Sequence, residues 1–431
     1  MPEMAGEVPG PRSRRLAGEL REVESRNVTH VAEGWPVFWE RAAGCNVWDV
    51  DGNRYVDLTG AFAVASLGHG RRELVEAMRV QSERLLHGMG DVHPSAVKVE
   101  CCRALGEVTF GRWGAGGSRT VLSSSGFEAV ETAMKTAMLA TGRPGVAAFE
   151  GGYHGLGYGA LAPTARGKFR DPFREQLPAM VERWPFPVTA EELGDLAERL
   201  EGTDGGRIGA VLVEPVQGRG GVVAPPEGFL GLLRSWCDGR GALLVCDEIF
   251  TGFHRTGDMF ACEREGIVPD LICLGKAMSG GFPISACVGR EDVMKAWPES
   301  DGEALHTSTF LGHPVGCAMV VAAIRLHLDP ETGEAVRRVA AAMERALAGL
   351  EDLAGVRDVR GRGAMWGVEM EGGARAQQVV GGMLRGGYLL LAGGEAGEVL
   401  SLTPPFVITD EEVGAFGESL RRVVREVEGY E

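Results

Sequence analysis

The stretch Asp270-Leu-Ile-Cys-Leu-Gly-Lys276-Ala-Met-Ser-Gly-Gly281 closes a short apolar run with a single lysine and then a pair of glycines. Upstream, another apolar run, Ala242-Leu-Leu-Val-Cys246, ends in Asp247-Glu248. Short apolar runs bounded by Gly, Pro or Asp read as strands buried on both faces. A lysine and a carboxylate then stand at the carboxyl ends of two such strands. Pyridoxal phosphate chemistry needs that pair. The amine forms a Schiff base with the cofactor's aldehyde, and the carboxylate keeps its pyridine nitrogen protonated.

Outward from this pair, apolar runs alternate with helical spacing from about residue 72. Residues 72–83, 96–108 and 127–141 are helical by spacing, and 120–124, 146–149, 210–214, 242–247, 271–274 and 284–288 read as strands. The pattern predicts an α/β fold, a large domain whose mostly parallel sheet is flanked by helices. Ahead of it, residues 45–57 read as a hairpin turned at Asp51-Gly52-Asn53, where Gly52 supplies the positive φ. After Pro330 comes a smaller α+β set: a helix over 332–353, a strand over 359–369, a helix to about Arg385, strands near Leu389 and Leu400, and a last helix from Asp410. The expected organisation is an N-terminal segment (1–71) packing with the other parts, a large cofactor-binding domain (72–329) and a small C-terminal domain (330–431).

Composition narrows the class. The 431 residues are 44% hydrophobic and 24% charged, and the net charge of -16 argues against nucleic-acid or anionic-membrane surfaces. Nine cysteines without a C-x-x-C read as reduced thiols, neither a disulfide framework nor a zinc site. No apolar stretch is long enough to span a bilayer, and residues 1–15 lack a secretory core, so the expected location is cytoplasmic. No strand is followed by G-x-G-x-x-G, which sets aside a dinucleotide enzyme.

Six segments could meet at one site. Ser123-Ser-Ser125-Gly126-Phe127-Glu128 lies at a strand-to-helix turn, where backbone N–H groups and the helix dipole can seat a phosphate; a plain serine N-cap reads the same way. Gly151-Gly-Tyr153-His154-Gly155 offers an aromatic face for a flat ring, or only a loop tip. Val213-Glu214-Pro-Val-Gln217-Gly218 follows a buried strand, on the edge where open α/β sheets bind ligands, although such polar pairs also serve as caps. Asp247-Glu248-Ile249 and Lys276, the strand-end pair already met, are the fourth and fifth. His306-Thr-Ser-Thr309-Phe310 could add a hydroxyl to the phosphate.

In this order and spacing the segments resemble the class III (subgroup II) aminotransferases, which are fold-type I pyridoxal phosphate enzymes. The resemblance covers about residues 34 to 425. It includes Val47-Trp-Asp-Val-Asp-Gly-Asn-Arg-Tyr-Val-Asp57, Leu67-Gly-His69, Asp247-Glu-Ile-Phe-Thr-Gly-Phe-His-Arg-Thr-Gly257 and Pro404-Pro-Phe-Val-Ile-Thr409. It implies that Lys276 is the Schiff-base lysine and proton-moving base and that Asp247 holds the pyridinium. Gln217 would bond the ring hydroxyl, Tyr153 and Ile249 would sandwich the ring, and Glu214 would share the cleft. Ser125, Gly126 and Phe127 would hold the phosphate, and Thr309 would reach the phosphate of the neighbouring subunit in a homodimer. The partners implied are a small-molecule amino donor and a carbonyl acceptor.

The chain departs from the family at Ser401, where many members carry an arginine for the α-carboxylate of glutamate. A hydroxyl cannot make the bidentate, charge-assisted pair of a guanidinium. The expected substrate is therefore an amine, diamine, amino alcohol or amino sugar, with Glu214 left without its usual partner and open to a second amine. Arg166 and Arg170 are the alternative carboxylate binders, both expected to face solvent. Two other functions fit the same residues: an intramolecular aminomutase resembling glutamate-1-semialdehyde aminomutase, and a non-catalytic binding protein, against which Lys276 and Asp247 count. An amine added without acceptor is expected to be consumed once per site, leaving pyridoxamine phosphate, as a stopped-flow spectrum would show. Continued turnover would identify the mutase.

Overall fold

The computed structural model describes residues 1–428, which form two compact units. One comprises residues 72–333; the other joins residues 1–71 to the described residues from 334 onward.

The first unit is built on a seven-stranded sheet. In spatial order its strands are Ser118–Ser123, Ser285–Arg290, Leu271–Leu274, Leu243–Asp247, Ile208–Val213, Gly145–Phe149 and Val181–Trp184. The five from Leu271–Leu274 onward are parallel, whereas Ser285–Arg290 runs antiparallel to both neighbours. Successive strand residues point to opposite faces, and the central strands divide accordingly. Val211, Val213, Leu244, Cys246 and Ile272 enter one core with Phe149, Phe229, Leu233 and Trp236. Ala210, Leu212, Val245, Leu271 and Cys273 enter another with Ala129, Val130, Ala133 and Ala137 of the helix Gly126–Thr141. Because both faces are covered, Ile208–Val213 is buried at every position, and this is why it reads as an unbroken apolar run.

Three elements of this unit escape the hydrophobic pattern. The edge strand Val181–Trp184 has only one fully buried residue. The helices Ala190–Gly202 and Phe229–Arg240 follow it. A signal for the former stands at Thr189, whose hydroxyl accepts from the Glu192 N–H at 3.2 Å while Glu192 reaches back to the Thr189 N–H at 3.3 Å.

In the second unit, Asn46–Asp49 and Arg54–Asp57 form the expected hairpin, with Val47 opposite Tyr55 and Gly52 at φ +91°. Asp49 holds the turn, accepting from the Asn53 N–H at 2.9 Å and the Tyr55 hydroxyl at 2.7 Å. The stretch read as one strand over 359–369 is two, Val356–Arg362 and Met365–Met370, paired antiparallel across Gly363 at φ +61°. The long helix is Pro330–Leu347, shorter than its spacing suggests, with Gly349 in the left-handed region just beyond it. Val339, Met343, Val368, Leu400, Phe406, Phe416 and Leu420 are among the residues of its core.

All nine cysteines are free, eight of them buried. Among the described residues no helix is long and apolar enough to cross a membrane. Phe229 is completely buried, with ring centroids 5.3 Å from Phe149 and 5.1 Å from Phe186. Phe229→Ala is therefore expected to destabilise this unit by about 3–5 kcal/mol, seen as an earlier urea transition in the fluorescence of the adjacent Trp184 and Trp236 pair.

Candidate active site

Three neighbouring parallel strands deliver the polar groups. Ile208–Val213 is followed by Glu214, Leu243–Asp247 ends in Asp247, and Leu271–Leu274 is followed after Gly275 by Lys276. Their register sets Val213 beside Cys246 and Asp247 beside Cys273, and the Glu248 N–H donates to the Cys273 carbonyl at 3.0 Å. Strand spacing of about 4.8 Å therefore brings the three side chains together at the carboxyl edge. They line one cavity of about 350 Å³ with Gly126, Phe127, Tyr153, His154, Ile249 and Phe250.

Lys276 has φ +43°, a left-handed conformation that costs a side-chain-bearing residue about 1–3 kcal/mol and persists only where packing enforces it. Its Nζ lies 4.7 Å from the centroid of the Phe250 ring. Desolvation pushes the amine down to about 8, against the pull of Asp247 and Glu214 and with a further push from Arg219. Glu214 moves the other way. Burial raises it to about 7, opposed by His154, while Asp247 adds to the rise.

Glu214 is not without partners, contrary to the expectation drawn from Ser401. One oxygen accepts from the Tyr153 N–H at 2.8 Å and the other from the Gly218 N–H at 3.0 Å. These backbone donors do the work a cation was expected to do, which removes the ground for a second amine at this carboxylate. Arg166 also differs from expectation: it is 9% exposed, with its guanidinium 5.3 Å from the Phe169 ring. Arg170 is half-buried and lies 3.6 Å from Asp171.

The other expected residues divide. Tyr153 and Ile249 line the cavity with Gly126 and Phe127. Ser125 stands just outside, at the N-cap of Gly126–Thr141. Its hydroxyl and N–H, together with the Ser124 N–H, all donate to one oxygen of Glu128 at 3.0, 2.8 and 2.9 Å. Gln217 is buried and donates its amide to the Glu150 carbonyl at 2.6 Å; it does not line the cavity. Thr309 is exposed, away from the cavity of its own chain.

Five lining residues have no role assigned from the sequence: His154, Gly155, Leu156, Arg219 and Phe250. His154 is buried with Nδ1 2.8 Å from Asp247 Oδ2, so it orients the carboxylate expected to serve the cofactor. Its position next to Tyr153 was visible; its contact, 93 residues away along the chain, was not. Arg219 places its guanidinium 4.9 Å from the centroid of the Tyr153 ring.

Comparison with known proteins now bears on this geometry. The family model described as aminotransferase class-III matches residues 28–424. The chain belongs to the class III aminotransferases. It is 38% identical to an acetylornithine aminotransferase of Methanopyrus kandleri, over 92% of this chain and 96% of that one. It is 34% identical to a 4-aminobutyrate aminotransferase of Mycobacterium leprae, over 98% of each. The ornithine aminotransferase structure from Toxoplasma gondii that reveals partial occupancy of pyridoxal phosphate at its active site superposes with a TM-score of 0.84, at 28% identity, over 96% of this chain and 95% of that one.

The cofactor of this class III aminotransferase is pyridoxal 5′-phosphate, and the residues present fit it. The cavity offers an amine of lowered pKa and a buried carboxylate, beside the N-terminal end of a helix where unpaired N–H groups favour an anion. Gly126 lets Ile249 pack against this helix end, since a Cβ there would lie 3.0 Å from Ile249 Cδ1. Only the neutral amine attacks an aldehyde, so capture of pyridoxal phosphate by cofactor-free protein is expected to speed up about tenfold per pH unit and level off above pH about 8. An unperturbed lysine would keep accelerating to about pH 10. Borohydride-trapped Lys276 peptide, counted by mass spectrometry across pH, measures the profile.

Proposed function

We propose that this class III aminotransferase takes its amino group from a primary amine whose reacting carbon bears no carboxylate: an amine, a diamine or an amino sugar. The observation that carries the reading is the convergence of Glu214, Asp247 and Lys276 in one cavity, read with the sequence position of Ser401, at which, by the family resemblance, many members carry the arginine for an α-carboxylate. A relative named for 4-aminobutyrate supports it, since that compound carries its amine on a carbon remote from its carboxylate. The acceptor is a ketone, aldehyde or keto acid. Free cysteines throughout accord with a cytoplasmic location.

Pyridoxal phosphate, when bound, supplies a sink for the electron pair released as the substrate's C–H bond breaks. In this reading Asp247, oriented by His154, holds the proton on the pyridine nitrogen. Lys276, neutral above about pH 8, anchors the cofactor and then moves the proton at the reacting carbon. Tyr153 and Ile249 keep the ring flat, Gln217 serves its hydroxyl only by turning from the Glu150 carbonyl, and Ser125, Gly126 and Phe127 seat its phosphate. Seating the phosphate competes with Glu128 for the Ser125 hydroxyl. Two chains pair so that Thr309 of each reaches the other's phosphate. The exposure of Leu305 (68%) and Phe310 (58%) on either side of Thr309 supports a protein-covered surface there.

Half-reactions with a panel of terminal amines, amino sugars and glutamate, followed by the cofactor's absorbance, test the donor. Amines are expected to react at least about tenfold faster than glutamate, the effect of one missing charge-assisted pair; the reverse order sinks the reading. Lys276→Ala is expected to lower turnover by several orders of magnitude, with Lys276→Arg no better.

A further inference from the structure

The guanidinium of Arg219 is the unusual group in the cavity. Several half-buried or surface arginines of the same unit are engaged by anions or carbonyls. Arg234 and Arg290 meet Asp270 at 2.7 and 2.8 Å, Arg112 meets Glu263 at 2.9 Å, and Arg183 donates to the carbonyls of Ala162, Pro163 and Thr164. Arg219 lines the cavity that holds Lys276, and among the described residues no carboxylate pairs with it. Its contacts are aromatic. The guanidinium carbon lies 4.9 Å from the Tyr153 centroid and 5.6 Å from that of Phe169, and such faces hold a cation in place without neutralising it.

The neighbouring carboxylates are held by other groups: Glu214 has both oxygens bonded to backbone N–H groups, and Asp247 is bonded to His154. The cation also opposes Lys276, and an anion beside it would relieve that repulsion. A planar fork of donors, half-buried and held on ring faces, matches the two oxygens of a carboxylate, the anion carried by 4-aminobutyrate, for which a relative is named.

We propose that Arg219 binds a carboxylate of the substrate and so sets specificity for a carboxylate-bearing reactant. The inference rests on the transaminase reading above and narrows it. Two reactants could bring the carboxylate: a donor with the acid at the end remote from its amine, or a 2-oxo acid acceptor.

Calorimetric titration of the cofactor-loaded enzyme with butanoate, which has the acid and no amine, measures the site without turnover. The wild type is expected to bind it, Arg219→Gln to bind at least about tenfold more weakly, and Arg219→Lys to recover part of the loss. Absence of butanoate binding by the wild type, or undiminished binding by Arg219→Gln, overturns the proposal. The source follows from two matched pairs, 4-aminobutyrate against butylamine and pyruvate against propanal. Arg219→Gln is expected to erase the preference for the acid in one pair, chiefly through KM, while sparing the uncharged member. Equal loss with both members of each pair would mark a structural role and also overturn it. Failure of the wild type to use any terminal amine defeats the donor reading alone, since butanoate binding still decides the role of Arg219.

Discussion

Everything at this site depends on the in-register parallel pairing of Ile208–Val213, Leu243–Asp247 and Leu271–Leu274. Parallel strands expose all their carboxyl ends on one edge, so the first polar residue after each apolar run arrives beside its neighbours. A slip of one residue in any strand would turn its apolar set to the wrong core and its terminal side chain away from the cavity. The two cores on the faces of the sheet resist that slip. Ala129, Ala133 and Ala137 let the helix Gly126–Thr141 approach closely on one side, while large aromatics fill the other.

The same burial that secures the strands tunes the chemistry. Removing water pushes Lys276 down to about 8 and Glu214 up to about 7, so both groups titrate near the pH where proton transfer is useful. Lys276 holds its left-handed conformation in a buried segment, followed by Ala277 and Met278, both buried. Asp247 is kept in place by His154, and Glu214 by the N–H groups of Tyr153 and Gly218. Charge in this cavity is thus managed by backbone donors and by pairing, with Arg219 held against the rings of Tyr153 and Phe169 as the cation left for a ligand.

The central strands could be read from sequence because burial on both faces leaves continuous apolar runs, as at Leu271–Leu274. The edge strand Val181–Trp184 could not, since an edge strand has mixed exposure and too few residues for a period to emerge. The hairpin at Val356–Arg362 and Met365–Met370 merged into one strand because its turn at Gly363 is short and flanked by residues that suit either strand. Local chemistry, namely Lys276 after one apolar run and Asp247 after another, was equally legible. The His154–Asp247 pair, the burial of Arg166 and the backbone donors at Glu214 were not.

The sequence alone determined the class III assignment, the α/β order of elements and the lysine and carboxylate that pyridoxal phosphate chemistry requires. These follow from hydrophobic period and residue type, which are local properties of the chain. Only the tertiary structure decided which neutral or charged groups share the cavity with Lys276. Partner choice there is set by contacts between residues far apart in sequence, and desolvation, which shifts the amine and the Glu214 carboxylate in opposite directions, exists only once those contacts exclude water.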